Sequence, residues 1–128
     1  MQPFLGDCFA NPSGSHRFSR DARRAVDEAR DDVADVLGCN PGEVVFTSGG
    51  TEADNAAIFG AVRRHGGTAV CSAAEHHAVL HCVEHTGGRV VAVDKRGVIN
   101  IDALRETLRD VTAVGGGAAV VSVMAVNN

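Results

Sequence analysis

Short apolar segments that alternate with helical segments constrain the fold of this chain more than any other feature. Helical periods are predicted over residues 19–37, 52–64, 75–84 and 100–108. Apolar runs of strand length lie between and after them, at residues 44–47, 68–72, 89–93 and 118–124. Because these runs do not alternate with polar residues, both faces of the sheet need a cover. The pattern predicts an α/β fold, a three-layer sandwich with a mostly parallel sheet.

Length and charge exclude several classes of protein. The 128 residues suit one domain, and the net charge of −4 comes from interspersed acidic and basic residues. The sequence has no block of basic residues of the kind that binds nucleic acid, and it has no apolar run long enough to span a bilayer. Residues 1–9 lack the charged and apolar regions of a secretory signal. The four cysteines are widely spaced without a Cys-x-x-Cys pair, which favours reduced thiols in a cytoplasmic protein.

The first candidate site is a glycine-rich turn, Ser-Gly-Gly-Thr at residues 48–51, between a predicted strand and a predicted helix. Such a turn directs unpaired backbone N–H groups and the positive end of the helix dipole to one point. Gly50 would let an anion approach closely, and the Thr51 hydroxyl could donate a further hydrogen bond. The motif predicts a phosphate site. The same residues also suit an ordinary helix start, with Thr51 as its N-cap and Asp54 three residues later.

The second candidate site is a histidine group that follows the next predicted strand. Glu75 and His76 would lie at the carboxyl edge of a parallel sheet, where ligands gather. His76 could stack on a flat ring or donate a proton there, or it could simply begin a solvated surface helix. A metal site is a further alternative, because His77, His81 and His85 are spaced four apart. The outer two are two helical turns apart, too far for one ion, so the sequence predicts no metal.

The third candidate site is the pair Asn127–Asn128, which follows the last predicted strand. An asparagine amide at that edge could hold the polar edge of a ligand. Two asparagines at this position also suit an ordinary chain tail.

Four segments, in this order and spacing, resemble those of the cysteine desulfurases, a branch of the class-V aminotransferase-like enzymes. They are Asn-Pro-Ser-Gly-Ser-His at 11–16, Phe-Thr-Ser-Gly-Gly-Thr-Glu-Ala-Asp-Asn at 46–55, Glu-His-His-Ala-Val-Leu at 75–80 and Ser-Val-Met-Ala-Val-Asn-Asn at 122–128. The resemblance covers nearly the whole chain. It implies part of the large domain of a type I transferase that depends on pyridoxal 5'-phosphate (PLP).

The resemblance also implies roles for individual residues. Gly50 and Thr51 would hold the cofactor phosphate, and His76 would stack on the pyridine ring as a catalytic residue. Asn128 would bond to the ring hydroxyl oxygen. Similar enzymes convert L-cysteine to L-alanine and keep the sulfur as a persulfide, which supplies iron–sulfur cluster or thio-cofactor assembly. A sulfur-acceptor or scaffold protein and a homodimer are the partners implied.

The resemblance is incomplete at both ends. Residues 1–128 would lack the leading arm, the second half of the large domain and the small C-terminal domain. The lysine that binds the cofactor and the cysteine that carries the persulfide are both expected in the missing part. The chain's single lysine, Lys95, lies in a predicted turn and matches no family lysine. None of the four cysteines matches the catalytic one.

Two alternatives to a cysteine desulfurase stay open. The chain could be a non-catalytic truncated relative that acts as a binding or scaffold module, or a selenocysteine lyase-like enzyme whose motifs are shared. A parallel sheet cut midway would expose a strand edge and apolar helix faces. The isolated chain is therefore expected to be poorly stable unless it pairs with another chain.

Overall fold

A computed structural model describes residues 2–127. They form two compact units, of which the first ends at Phe46 and the second begins at Thr47. The helices are α1 (Arg17–Leu37), α2 (Gly50–His65), α3 (His77–His85) and α4 (Ile101–Ala113); the strands are β1 (Thr68–Ser72), β2 (Arg89–Val91) and β3 (Ala118–Ser122). All of the predicted helices are confirmed, and α4 continues five residues further than its sequence pattern indicated.

Helix α1 dominates the first unit, and both of its ends are capped by local chemistry. At its start the His16 ring Nδ1 accepts from the Ser19 N–H at 3.4 Å. At its end Gly38 adopts a left-handed conformation, with φ of 68°, and its N–H donates to the carbonyl of Asp35. Ser19 and Ala34 are completely buried within this unit. The helix boundaries therefore follow from cap residues that the sequence displays.

The predicted strand at residues 44–47 is wrong, because the structure has no regular element there. The Val44 N–H closes a short 3-10 turn by donating to the Pro41 carbonyl, and the Val44 carbonyl accepts from Arg30 Nε at 3.3 Å. The Arg30 guanidinium also lies 5.2 Å from the centre of the Phe46 ring. Backbone groups that a strand would offer to a neighbour are thus used by a turn and an arginine.

The second unit is built on a parallel sheet with β1 at its centre. The strand order is β2-β1-β3, and β1 pairs in parallel with both neighbours. Residues 69–72 of β1 are all buried, which explains an apolar run without polar alternation. The predicted mostly parallel sheet is therefore confirmed. Strand β2 ends two residues earlier than predicted, since Val93 forms an antiparallel bridge with Ile99 instead.

Side chains from α2, α3 and one face of β1 form the main core. Its buried members are Ile58, Ala69, Cys71, Val79, Cys82 and Val83. Because successive residues of a strand point to opposite faces, Val70 lies on the other face, and it is also completely buried. Helix α4 packs against β2 and β3. This layering places α2 and α3 side by side on one face of the sheet.

Apolar side chains remain exposed on the outer strands of this sheet. Val90 of β2 is 42% exposed and Val121 of β3 is also 42% exposed. Among the residues described, no helix combines the length and the apolar character needed to cross a membrane. The exposed Val90 and Val121 favour poor stability of the isolated chain, which stays a prediction.

Candidate functional site

The glycine-rich turn lies directly at the start of α2. Gly49 is the N-cap and Gly50 is the first helical residue, so Thr51 lies inside the helix. The alternative in which Thr51 caps the helix is therefore wrong. The first N–H bonded within the helix is that of Ala53, which donates to the Gly49 carbonyl at 3.1 Å. The N–H groups that precede it point out of the helix start, where an anion can accept them.

Open space surrounds this turn. A Cβ atom added at Gly49 or at Gly50 would meet nothing within 4 Å, so these glycines do not serve packing within the chain. No side chain caps the helix start, because Gly49 has none. A phosphate group therefore fits here on two grounds, the free N–H donors and the room above them.

Glu52 stabilises the turn through hydrogen bonds with Ser48. Its Oε2 accepts from the Ser48 N–H at 2.6 Å and from the Ser48 hydroxyl at 2.7 Å. The Ser48 N–H, and after it the Ser48 hydroxyl, hold the pKa of the Glu52 carboxyl below its ordinary value. Because the pKa is lower in the folded turn than in the unfolded chain, the ionised carboxylate stabilises the turn at neutral pH. That stabilisation is lost as the pH falls through the folded-state pKa.

We expect Ser48→Ala to raise the pKa of Glu52 only part of the way to its ordinary value. The variant removes the hydroxyl donor but keeps the backbone donor, which is the larger cause of the shift. A pH titration of the carboxyl signals by NMR measures the change. Glu43 is a matched control, since the backbone and side-chain N–H groups of Asn40 lower its pKa in the same way. An equal change at Glu43, or none at Glu52, would contradict the assignment.

An open cleft of about 440 Å³ lies along α2 and α3, and it brings the first two candidate sites together. Thr51 lines it from the start of α2, and His76 lines it from the start of α3. Asn55 joins the two walls, because its Nδ2 donates to the Thr51 carbonyl at 2.7 Å and to the Ala78 carbonyl at 3.3 Å. The sequence motifs predict no separate role for Asn55. Its position one turn after Thr51, on the same helix face, was the available signal.

His76 is the N-cap of α3, and this fixes the state of its ring. The Nδ1 atom accepts from the Ala78 N–H at 3.1 Å. An Nδ1 that accepts carries no hydrogen, so the neutral ring has its proton on Nε2. His76 is exposed where it lines the cleft. The arrangement offers an imidazole with one nitrogen engaged and the other free to donate.

The other histidines of α3 lie along the same cleft. The rings of His77 and His81 are stacked with their centres 5.1 Å apart, and His85 meets the edge of Phe59 at 5.9 Å. Within residues 2–127 no group of three or more His, Cys, Asp or Glu side chains is arranged to hold a metal ion. The stripe of imidazoles is thus an exposed lining of the cleft.

The third candidate site is only partly described. Asn127 Nδ2 donates to the Ala74 carbonyl at 2.8 Å, and both residues line a second cleft of about 450 Å³ rather than the one that contains His76. Asn128 lies outside the described residues. The hydrogen bond therefore attaches the segment after β3 to the loop before His76. The role of Asn128 stays a prediction.

Comparison with known proteins decides the family. The family model described as aminotransferase class-V matches residues 1–128. The chain belongs to the aminotransferase class-V family. It is 40% identical to the cysteine desulfurase IscS of Dictyoglomus turgidum over 136 aligned residues, which cover 100% of this chain and 33% of that protein. The chain thus spans about a third of the length of the curated relatives it matches.

Solved structures of this family share the fold. DndA from Streptomyces lividans matches with a TM-score of 0.73 and 32% identity over 99% of this chain and 36% of its own. SspA in complex with cysteine matches with a TM-score of 0.67 and 32% identity over 86% of this chain and 34% of its own. The parallel sheet with its helices and these structural matches confirm the prediction of a partial type I transferase fold.

The buried cysteines of this class-V chain are poor nucleophiles. Burial, and then the negative charges of Glu75 and Glu84, raise the pKa of the Cys71 thiol to about 11. Burial and Asp54 also raise the pKa of Cys82, whose Sγ donates to the Ala78 carbonyl. Since the thiolate is the reactive form, neither thiol is suited to carry sulfur. All four cysteines are free thiols, and Cys8 is exposed.

Proposed function

We propose that this chain forms the phosphate-binding and ring-facing part of a PLP-dependent cysteine desulfurase. The reaction would convert L-cysteine to L-alanine and leave the sulfur as an enzyme persulfide, for iron–sulfur cluster or thio-cofactor assembly. One observation carries the proposal: Thr51, at the start of α2, and His76, at the start of α3, line the same cleft. The relatives named as cysteine desulfurases support the choice of reaction.

The start of α2 would hold the cofactor phosphate. The N–H groups of Gly50 and Thr51 would donate to the phosphate oxygens, and the positive end of the helix dipole adds to this attraction. The Thr51 hydroxyl would supply a further donor. The Ser48 N–H and hydroxyl would keep the Glu52 carboxylate hydrogen-bonded within the turn.

His76 would orient the ring and handle a proton. When bound, PLP supplies the electron sink for cleavage of bonds at the substrate's amino-bearing carbon. Nδ1 of His76 is fixed by the Ala78 N–H, so its ring is restrained in the cleft and Nε2 carries the exchangeable proton. Asn128 would bond to the ring hydroxyl oxygen, as the family resemblance implies.

Covalent attachment and sulfur transfer would depend on residues that this chain does not provide. Lys95 is exposed in the turn before α4, away from the cleft-lining residues. The high pKa of Cys71 and the burial of Cys82 make both unsuitable for carrying sulfur. Following the family resemblance, which matches none of the four cysteines to the catalytic one, we assign the lysine and the sulfur-carrying cysteine to the part of the relatives that this chain does not span. A cytoplasmic homodimer that passes sulfur to an acceptor or scaffold protein completes the proposal.

Thr51→Val tests the proposed phosphate site. Valine keeps the shape of threonine but removes the hydroxyl, so we expect about a tenfold weaker affinity for PLP, as for loss of one hydrogen bond to a charged group. The measurement is an absorbance titration with PLP, made on the protein at its natural length. Thr112→Val in α4 is the matched control, because the Thr112 hydroxyl donates to the Leu108 carbonyl within its own helix. Unchanged affinity in Thr51→Val would remove the proposed site.

Catalysis is tested separately, by the formation of alanine from L-cysteine. We expect His76→Ala to abolish most alanine formation. If the wild-type protein binds PLP but does not consume cysteine, the proposed reaction is wrong, whereas the proposed phosphate site is unaffected.

A further inference from the structure

Glu75 is the one buried charged side chain in the part of the chain that the structure describes. It is 6% exposed, and its Oε1 accepts from the Met124 N–H at 2.6 Å. The two residues are 49 positions apart in the chain, so the contact joins the loop after β1 to the segment after β3. Burying a carboxylate costs free energy unless it is hydrogen-bonded, and the bond from the Met124 N–H offsets part of that cost.

A second hydrogen bond joins the same two segments. Asn127 Nδ2 donates to the Ala74 carbonyl at 2.8 Å, three residues after Met124 and one residue before Glu75. The sheet itself does not extend this far, because β1 ends at Ser72 and β3 ends at Ser122. Beyond the last rungs of the parallel ladder, these two side-chain hydrogen bonds join the segments.

Arginine and lysine do not balance this carboxylate. In residues 2–127 no ion pair includes Glu75, and its charge instead contributes to the raised pKa of Cys71. A carboxylate without a cation is poorly explained as a source of stability. Its position is better explained by the two segments that it joins, one of which continues directly into His76.

We propose that Glu75 is a positioning residue that holds the segment after β3 against the loop that carries His76. The inference rests on the proposed function, since it concerns how the cofactor-facing residues are aligned. The hydrogen bonds at Met124 and Asn127 would keep the segment after β3 in place against the loop that leads into His76. The carboxylate acts through Met124 and does not touch the cofactor.

Three variants separate the acceptor from the charge, in the protein at its natural length. Glu75→Gln keeps an acceptor oxygen at the same reach and removes the charge. Glu75→Asp keeps the charge and withdraws the acceptor by one methylene. Glu75→Leu removes both. The first readout is hydrogen exchange of the Met124 amide, with the Val70 amide of β1 as a control for the fold. The second is the affinity for PLP.

We expect Glu75→Gln to keep Met124 protection and PLP affinity within about threefold of the wild type. Glu75→Asp and Glu75→Leu should each lose about tenfold in Met124 protection and about tenfold in PLP affinity, with Val70 protection retained. A loss in Glu75→Gln as large as that in Glu75→Asp would overturn the proposal, because the acceptor oxygen that glutamine keeps would then not be sufficient. Full Met124 protection in Glu75→Asp would overturn it as well.

The two proposals can fail separately. If the wild-type protein binds no PLP, the proposed function fails. Hydrogen exchange of the Met124 amide in the same variants still decides whether Glu75 holds the segment after β3. If Glu75→Leu does not fold, the comparison of Glu75→Gln with Glu75→Asp gives the answer.

Discussion

Gly88→Ala is expected to destabilise the second unit by about 2–4 kcal/mol, because its position leaves no room for a methyl group. Gly88 directly precedes β2, and its N–H donates to the Val83 carbonyl at 2.8 Å. A Cβ atom there would press on the Ala69 carbonyl oxygen and lie 2.7 Å from Val83 Cγ1. Two of the atoms it would meet are backbone carbonyls, which cannot move without disturbing α3 or β1.

Gly60→Ala provides the matched control for this substitution. Gly60 lies in the interior of α2, and a Cβ atom added there would meet nothing within 4 Å. The same chemical change should therefore stabilise the chain by about 0.5–1 kcal/mol through helix propensity. Denaturant unfolding followed by circular dichroism measures both variants. Destabilisation of similar size in the two would contradict the steric explanation.

Ile58→Ala is expected to cost about 2–5 kcal/mol of unfolding free energy, the usual range for emptying a buried isoleucine site. Ile58 is 3% exposed and is the one buried residue of α2. It packs into the cluster that includes Cys71 and Val83, and so it anchors α2 on the sheet and on α3. Because α2 also carries Thr51, we expect PLP affinity to fall with stability.

A graded series checks the origin of this effect. Ile58→Val should cost about 0.5–1.5 kcal/mol, in keeping with the smaller void. Ile101→Ala removes the same side chain at a position that is 51% exposed, and it should change stability by no more than about 0.5 kcal/mol. A loss at Ile101 that matches the loss at Ile58 would contradict the explanation by burial in the core, since alanine is the better helix former at both positions.

The sequence predicted the helices and the parallel sheet well, because their signals are local. The stop of α1 at Gly38 and the cap of α4 at Asn100 are read from single residues whose chemistry is unambiguous. The failure at residues 44–47 has the opposite cause. An apolar run becomes a strand only if a neighbouring strand pairs with its backbone. Here the Val44 N–H donates to the Pro41 carbonyl, and the Val44 carbonyl accepts from Arg30 Nε.

Part of the candidate site could likewise be predicted from local motifs, and part of it could not. Gly50, Thr51 and His76 were found from short motifs, and the structure places Thr51 and His76 on one cleft. The contacts of Asn55 with Ala78 and of Glu75 with Met124 could not be foreseen, since each partner lies far along the chain. Asn55 bonds to the Ala78 carbonyl and Glu75 to the Met124 N–H, at separations of 23 and 49 positions. Such pairings are set by the sheet order, which periodicity does not reveal.

The sheet order also dictates when this chain can fold during its synthesis. Strand β1 is central, but Thr68 pairs with Ala118, so one side of β1 has no partner until β3 has left the ribosome. Every pairing in the sheet is parallel and none is a local hairpin, which makes nucleation slow. A nascent chain that ends before residue 118 would carry the buried apolar strand β1 with one edge open. Chaperone capture should therefore be strongest after β1 has left the ribosome and before β3 has, and should decline once β3 pairs with β1.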